Sequence, residues 1–283
     1  KTFEASENIL SISDGQPLLA QNVPYRLYKV GEEIIGYKIL ECKLSRLNYS
    51  GEVLWTFDLP LRPRSGEPDN LDKVLGIAQG LLWICTRWYR LIALDLETGK
   101  PVHQFSGGWF DEDHSNYIVL DSLGWCFFRE AEKTIVLISN FGVQILDATT
   151  AKIIEGYSFS EVDPQGIGAF EYFDAARLYG DCLTFIAQRH REAHGYRCAG
   201  IFDLKARQFI WIGDIISLEE KMSTGNHLLA QFPLQMAGNR LYIKDAENTL
   251  HIYQKEWRLK AQVRPQSEAT ASAVCVTTPS VGR

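Results

Sequence analysis

The run Trp109-Phe110-Asp111-Glu112-Asp113-His114 holds the densest group of chemistry-bearing side chains in the chain. Asp111, Glu112 and Asp113 offer hard oxygen ligands, and His114 offers one imidazole. A calcium loop would space its oxygens at alternate positions around a glycine turn and end on a distal glutamate, and that order is missing here. A solvated acidic loop is the plainer reading. Trp109 and Phe110 beside the acid move it towards a protein contact, because aromatics anchor interfaces while charges steer the encounter.

A second group lies in "RHREAHGYR" (189–197), where His190, Glu192 and His194 alternate. On an extended chain the three would point the same way, as ligands of a transition metal must. The pattern is not the helical H-E-x-x-H, and no completing ligand is identifiable, so a charged hairpin tip is the alternative. A third group joins Trp88 of "WYR" (88–90) to Arg62 and Arg64 of the preceding loop, an arginine and aromatic pairing typical of interfaces and also of strand-end caps.

Enzyme signatures are otherwise missing: the chain has no G-x-S-x-G and no phosphate-cradling G-x-x-x-x-G-K. Asp69, Asp72, Asp111 and Glu171 could form a glycosidase-type acid set only if the fold brought them together, which spacing alone does not decide. No cofactor is expected. Cys42, Cys85, Cys126, Cys182, Cys198 and Cys275 are scattered, without a C-x-x-C pair. They read as thiols, three of them inside apolar runs, and favour a reducing compartment, with the cytoplasm as the expected location. A periplasmic or secreted protein after processing is the alternative.

These groups must be positioned by a repeat. "LSRLNYSGEVLW" (44–55), "LIALDLETGKPVH" (91–103), "VQILDATTAKIIE" (143–155), "AGIFDLKARQFIW" (199–211) and "TLHIYQKEWRL" (249–259) align, with anchors at Asn48, Asp95, Asp147, Asp203 and Tyr253 spaced by 47, 52, 56 and 50 residues. That period belongs to propeller blades rather than helical solenoids. Each copy reads as a β-hairpin with turn chemistry at Ser50-Gly51, Thr98-Gly99 or Thr149-Thr150. Upstream of the hairpins lie "GLLWICT" (from Gly80), "GWCFF" (from Gly124), "GDCLTFIA" (from Gly180) and "GNRLYIKD" (from Gly238), each read as the second strand of its unit. First strands are read at runs such as "YIVL" (117–120) and "LLAQF" (228–232). The expected fold class is all-β: one β-propeller of four-stranded blades over residues 1–283, with helix at most for one turn at "SLEEKM" (217–222).

"ALDLETGKPVHQF" and "LNYSGEVLWTFDLP" resemble the repeat of PQQ-like (quinoprotein-type) β-propellers over about residues 34–260. In that repeat an apolar strand, an Asp, a Thr-Gly turn and an outer-strand aromatic recur. Trp55 and His103 occupy the same place after the turn glycine, with Trp211 close to it; the histidine departs from the pattern and implies looser packing between blades. The family's quinone is not implied, because its enzymes carry adjacent cysteines and this chain has none. Five units are legible. The hairpin-like 9–21 and the C-terminal tail 265–283, with "SAVCVTT" (272–278), leave open a sixth, split blade closed by the two termini.

In such blades the loop between second and third strands and the connection to the next blade share one face. The long connections 60–73, 106–116, 160–168 and 214–227 all fall there, and binding residues concentrate on long loops of rigid scaffolds. With a formal charge of -6 and no window of 18 or more apolar residues, neither nucleic acid nor a membrane span is expected. The residues therefore favour a non-enzymatic protein-binding propeller whose partner has a basic contact surface, in a narrower form an inhibitor or immunity-type protein that neutralises a toxin or effector. The alternative is an enzyme acting on carbohydrate or through a loop-bound metal.

Overall fold

Five stretches of the chain alternate short apolar strands with tight turns, and each folds back on itself as an antiparallel meander. In the computed structural model the described residues are 25–62, 65–88, 90–106, 125–139, 142–162, 170–189, 197–214, 234–244 and 250–254. The first sheet is β1 (Arg26–Val30), β2 (Glu33–Lys38), β3 (Lys43–Leu47) and β4 (Val53–Asp58). The second is β5 (Leu71–Ala78), β6 (Leu81–Thr86), β7 (Arg90–Asp95) and β8 (Pro101–Ser106). β9 (Trp125–Arg129), β10 (Thr134–Ile138), β11 (Gly142–Asp147) and β12 (Lys152–Ser158) form the third, and β13 (Phe170–Tyr179), β14 (Cys182–Arg189), β15 (Arg197–Asp203) and β16 (Gln208–Asp214) the fourth. A fifth sheet holds β17 (Gln235–Ala237), β18 (Arg240–Lys244) and β19 (Leu250–Gln254). The all-β expectation holds. No helix among the described residues is long and apolar enough to cross a membrane.

The third sheet corrects one strand assignment. Trp125–Arg129 is its first strand, and the second is Thr134–Ile138, which pairs Ile135 with Phe128. The turn between them uses Lys133 at φ 50 where other turns use glycine, so glycine spacing pointed upstream to Gly124. Residues 117–120, 217–222 and 228–232, the hairpin at 9–21, the end of the 249–259 copy and the tail lie outside the described residues. One helical turn, α1 (Phe159–Val162), runs into the connection 160–168, expected as a loop. Its cause is local: Ser158 Oγ accepts from the Glu161 N–H at 3.1 Å, and Glu161 Oε2 accepts from the Ser158 N–H at 2.8 Å, a reciprocal capping box.

The chain divides into two compact units, Lys1–Ser139 with Val143–Gly156, and Asn140–Gly142 with Tyr157–Arg283. In the first, β6 is buried at nearly every position because both its faces are covered. Leu82 and Ile84 pack with Ile35, Leu44 and Trp55 of the first sheet, while the alternate Trp83 and Cys85 pack with Cys126, Ile135 and Leu137 of the third. Each such Leu or Ile contributes about 1.5–3 kcal/mol of hydrophobic stabilisation. In the second unit, Ile186 and Ala199 pack with Leu241 and Ile243.

The repeated anchor does two jobs. Its side chain closes the hairpin turn: Asn48 Oδ1 accepts from the Ser50 and Glu52 N–H groups, Asp95 Oδ1 from the Thr98 N–H and hydroxyl, Asp147 Oδ1 from those of Thr149, and Asp203 Oδ1 from the Ala206 N–H. These hydrogen bonds, first the threonine hydroxyl and then the backbone N–H, hold the Asp95 and Asp147 carboxyls below their ordinary range. The carbonyl of the next residue receives a donor from the preceding sheet. Trp55 Nε1 donates to Leu96 O at 2.7 Å, Trp83 Nε1 to Ala148 O at 2.9 Å, and, within the second unit, the Tyr157 hydroxyl to Leu204 O at 3.4 Å. At the fifth anchor, Tyr253 instead meets the Trp211 ring, with centroids 5.3 Å apart.

Candidate protein-docking surface

In the first unit the β2–β3 turn, the β4–β5 connection and the β6–β7 turn lie at the same end and are bonded to one another. The Leu59 N–H donates to Cys42 O at 3.1 Å, the Arg87 N–H to Asn70 O at 2.9 Å, and Arg90 Nη2 to Leu61 O at 2.7 Å. Tyr37 ties the group from below: its hydroxyl donates to Asn70 Oδ1 and accepts the Leu71 N–H, each at 3.2 Å. Burial, with the neighbouring Cys42 adding to it and the hydrogen bond from the Leu71 N–H opposing it, leaves the Tyr37 phenol pushed up to about 12.

The described residues of the β4–β5 connection, expected as a long loop, pair as the two sides of a hairpin. Leu61 bridges Pro68, the Asp69 N–H donates to Pro60 O at 3.0 Å and the Arg62 N–H to Glu67 O at 2.8 Å, with Gly66 supplying the positive φ of 68° that the tip needs. The ladder holds Leu61 out to solvent. Ile39 and Leu40 on the β2–β3 turn and Trp88 on the β6–β7 turn, which are bonded to the same connection, are exposed as well; Leu40 is 73% and Trp88 44% exposed. The Arg62 guanidinium lies 5.8 Å from the centroid of the Trp88 ring and also reaches Glu67 Oε2 at 3.3 Å.

Charge surrounds this apolar tip. Lys38 pairs with Glu41 at 3.0 Å and Lys43 with Asp58 at 3.7 Å, exposed pairs that add little stability but keep the surroundings hydrated. Three buried polar atoms beneath the tip, Arg62 Nε, Asp69 Oδ2 and Arg90 Nη1, have no hydrogen-bond partner. Solvent-facing apolar residues over partly unpaired polar groups, with a charged margin, have the layout of an interface centre and its rim.

Of the expected site residues, the structure brings Arg62 and Trp88 together. Arg64, Trp109, Phe110, Asp111, Glu112, Asp113 and His114 lie outside the described residues, as do His190, Glu192 and His194. Asp69 is fully buried within the β4–β5 hairpin, and Asp72 lies on β5. Among the described residues no group of three or more His, Cys, Asp or Glu side chains could hold a metal ion. Ile39, Leu40 and Leu61 were not singled out from the sequence; the signal was present in "YKILECK", where two adjacent apolar residues sit between charged ones at a turn.

No family model matches the chain. Nor does any curated protein. Among solved structures it is similar to BamB from Moraxella catarrhalis, a β-propeller, at 11% identity with a TM-score of 0.51, covering 85% of this chain and 62% of that one. It is also similar to the computationally designed Ika8 protein, at 12% identity with a TM-score of 0.52, covering 89% of this chain and 66% of that one. The chain thus spans less than two thirds of the length of each. At such identities the likeness shows the fold alone, and the fold of this chain is that of a β-propeller.

Proposed function

We propose that this propeller is a binding protein that docks another protein on the loop end of its first unit, with Leu40, Leu61 and Trp88 at the centre of the contact. The observation that carries this reading is the exposure of those side chains together with Ile39 on turns that are hydrogen-bonded to one another. Soluble surfaces seldom cluster large apolar residues on rigid turns without a use for them. The acidic run Asp111-Glu112-Asp113 follows β8 in the sequence, as the β4–β5 connection follows β4, and its charge fits a partner that adds basic residues around an apolar centre. The repeat's PQQ-like character is part of the proposal, as is its narrower form, in which the partner is a toxin or effector whose basic active site is blocked.

The test is affinity for the partner that copurifies with the intact chain. Leu40→Asp and Trp88→Ala should each weaken binding by about tenfold or more, as central interface residues do. Val102→Asp and Ile154→Asp, exposed on the outer strands β8 and β12, should leave affinity unchanged. Equal losses from both sets, or none from the first, would remove this surface from consideration. Inhibition of the partner's activity at equimolar protein separates the narrower form from simple docking.

A further inference from the structure

The thiols of Cys85 on β6 and Cys126 on β9 come from different sheets, and their Sγ atoms lie 3.7 Å apart. Both are free thiols, 3% and 2% exposed. Trp83, Leu91, Ala93, Ile135 and Leu137 enclose them. The sequence gives no hint of the pairing, because 41 residues separate the two positions and neither belongs to a C-x-x-C motif. We propose that Cys85 and Cys126 form a built-in cross-linking site, closing a disulfide between the second and third sheets whenever the chain folds in the presence of a low-molecular-weight disulfide.

Forming the bond requires the sulfurs to approach to about 2.05 Å, a movement of less than 2 Å that side-chain rotation supplies in part. The exchange balances as follows. One cysteine thiolate attacks the small disulfide, expels one thiolate and becomes a mixed disulfide; the other then attacks the protein-side sulfur and expels the second small thiolate. The protein loses two protons and two electrons, and the reagent becomes two thiols. Buried as they are, the two thiols in the packed core do not meet a small disulfide from solvent. The hydrogen-bonded Cys126 thiol, together with burial, raises the Cys85 thiol well above its ordinary range, so thiolate is scarce there. Oxidation therefore belongs to the open or opening chain, and packing afterwards shields the product from reductants. In a reducing compartment the same pair stays as thiols, packing as small apolar side chains.

The experiment refolds the full chain from denaturant in a mixture of reduced and oxidised glutathione, with acid quenching, alkylation and peptide mapping. The expected result is one cross-linked peptide pair carrying Cys85 and Cys126, reduced at least about tenfold more slowly in the folded than in the unfolded protein. Cys126→Ala should lose the cross-link while keeping the β circular-dichroism spectrum; if that variant does not fold, Cys85→Ala gives the same reading. Quantitative alkylation of both cysteines in correctly refolded wild-type protein, or pairing of either with Cys42, Cys182, Cys198 or Cys275, would overturn the proposal.

Discussion

Trp83 Nε1 donates to Ala148 O at 2.9 Å across the boundary between the second and third sheets, the same service that Trp55 performs for Leu96 O between the first and second. The two donors come from different places in the repeat, Trp55 from the outer strand β4 and Trp83 from the second strand β6. The position matching Trp55 in the second sheet is His103, whose ring stacks parallel to Trp83 with centroids 6.5 Å apart. The histidine thus does not leave the boundary without its bond, because the tryptophan beneath it has taken over the donor.

Removing the two indole N–H groups should have unequal consequences. Leu96 O also accepts from Arg46 Nη1 at 2.9 Å and keeps a partner if Trp55 is lost. Ala148 O depends on Trp83. In urea unfolding, Trp83→Phe should cost about 2 kcal/mol, from an unpaired buried carbonyl and a small cavity, and Trp55→Phe about half of that. A larger loss from Trp55→Phe would show that the second donor at Leu96 does not compensate.

Acid should loosen the turns before it reaches the core. The Asp95 and Asp147 carboxyls are held low, chiefly by the Thr98 and Thr149 hydroxyls and then by backbone N–H groups. For a depressed carboxylate the stabilisation is present above the unfolded value, near 4, and disappears as pH falls through the lower folded value. Unfolding midpoints measured between about pH 6 and pH 2 should therefore fall at the acid end. Asp95→Asn with Asp147→Asn keeps the acceptor oxygens but removes the titration, and should flatten that fall. An unchanged slope in the double variant would assign the acid sensitivity to other carboxylates.

How much of this was legible follows from which forces are local. The anchors Asn48, Asp95, Asp147 and Asp203 were readable because an Asx turn is made within a few residues, and the same locality makes the Ser158–Glu161 capping box readable in "SFSE". The strand Thr134–Ile138 is not marked in the sequence, because its turn puts Lys133 in the left-handed region where other turns use glycine. Arg62 and Trp88 could be paired from loop order alone. Ile39 and Leu40 left a local signal in "YKILECK", but Leu61 left none, and the Cys85–Cys126 approach exists only once two sheets have packed.

Gly76 on β5 is a point of close approach between the second and third sheets. A Cβ there would overlap the ring of Phe128 on β9, not at a flexible tip but along the ring edge. Gly76→Ala should therefore cost about 1–3 kcal/mol through overpacking. Phe128→Leu in the same chain should recover part of the loss, since neighbouring substitutions couple while distant ones add. Strict additivity of the two changes in urea unfolding would indicate that the backbone relaxes instead of the ring.

Tyr37 gives the docking end its own signature at high pH. Its buried hydroxyl donates to Asn70 Oδ1 and accepts the Leu71 N–H, joining the top of β2 to the start of β5, and the phenol is pushed up to about 12. Because the folded value lies above the unfolded one near 10, the associated stabilisation is fully present below about pH 10 and is lost as pH rises towards the folded value. Tyr37→Phe leaves the Leu71 N–H without its acceptor and should cost about 1–3 kcal/mol at neutral pH. Lysines also titrate in the alkaline range, so the informative quantity is the difference between wild type and variant. That difference should shrink between about pH 10 and pH 12, because only the wild type has this contribution to lose. Parallel curves for the two proteins across that window would mean that Tyr37 ionises as freely in the fold as in the unfolded chain, and no loss from Tyr37→Phe at neutral pH would mean that its bonds do not hold the β5 entry in place.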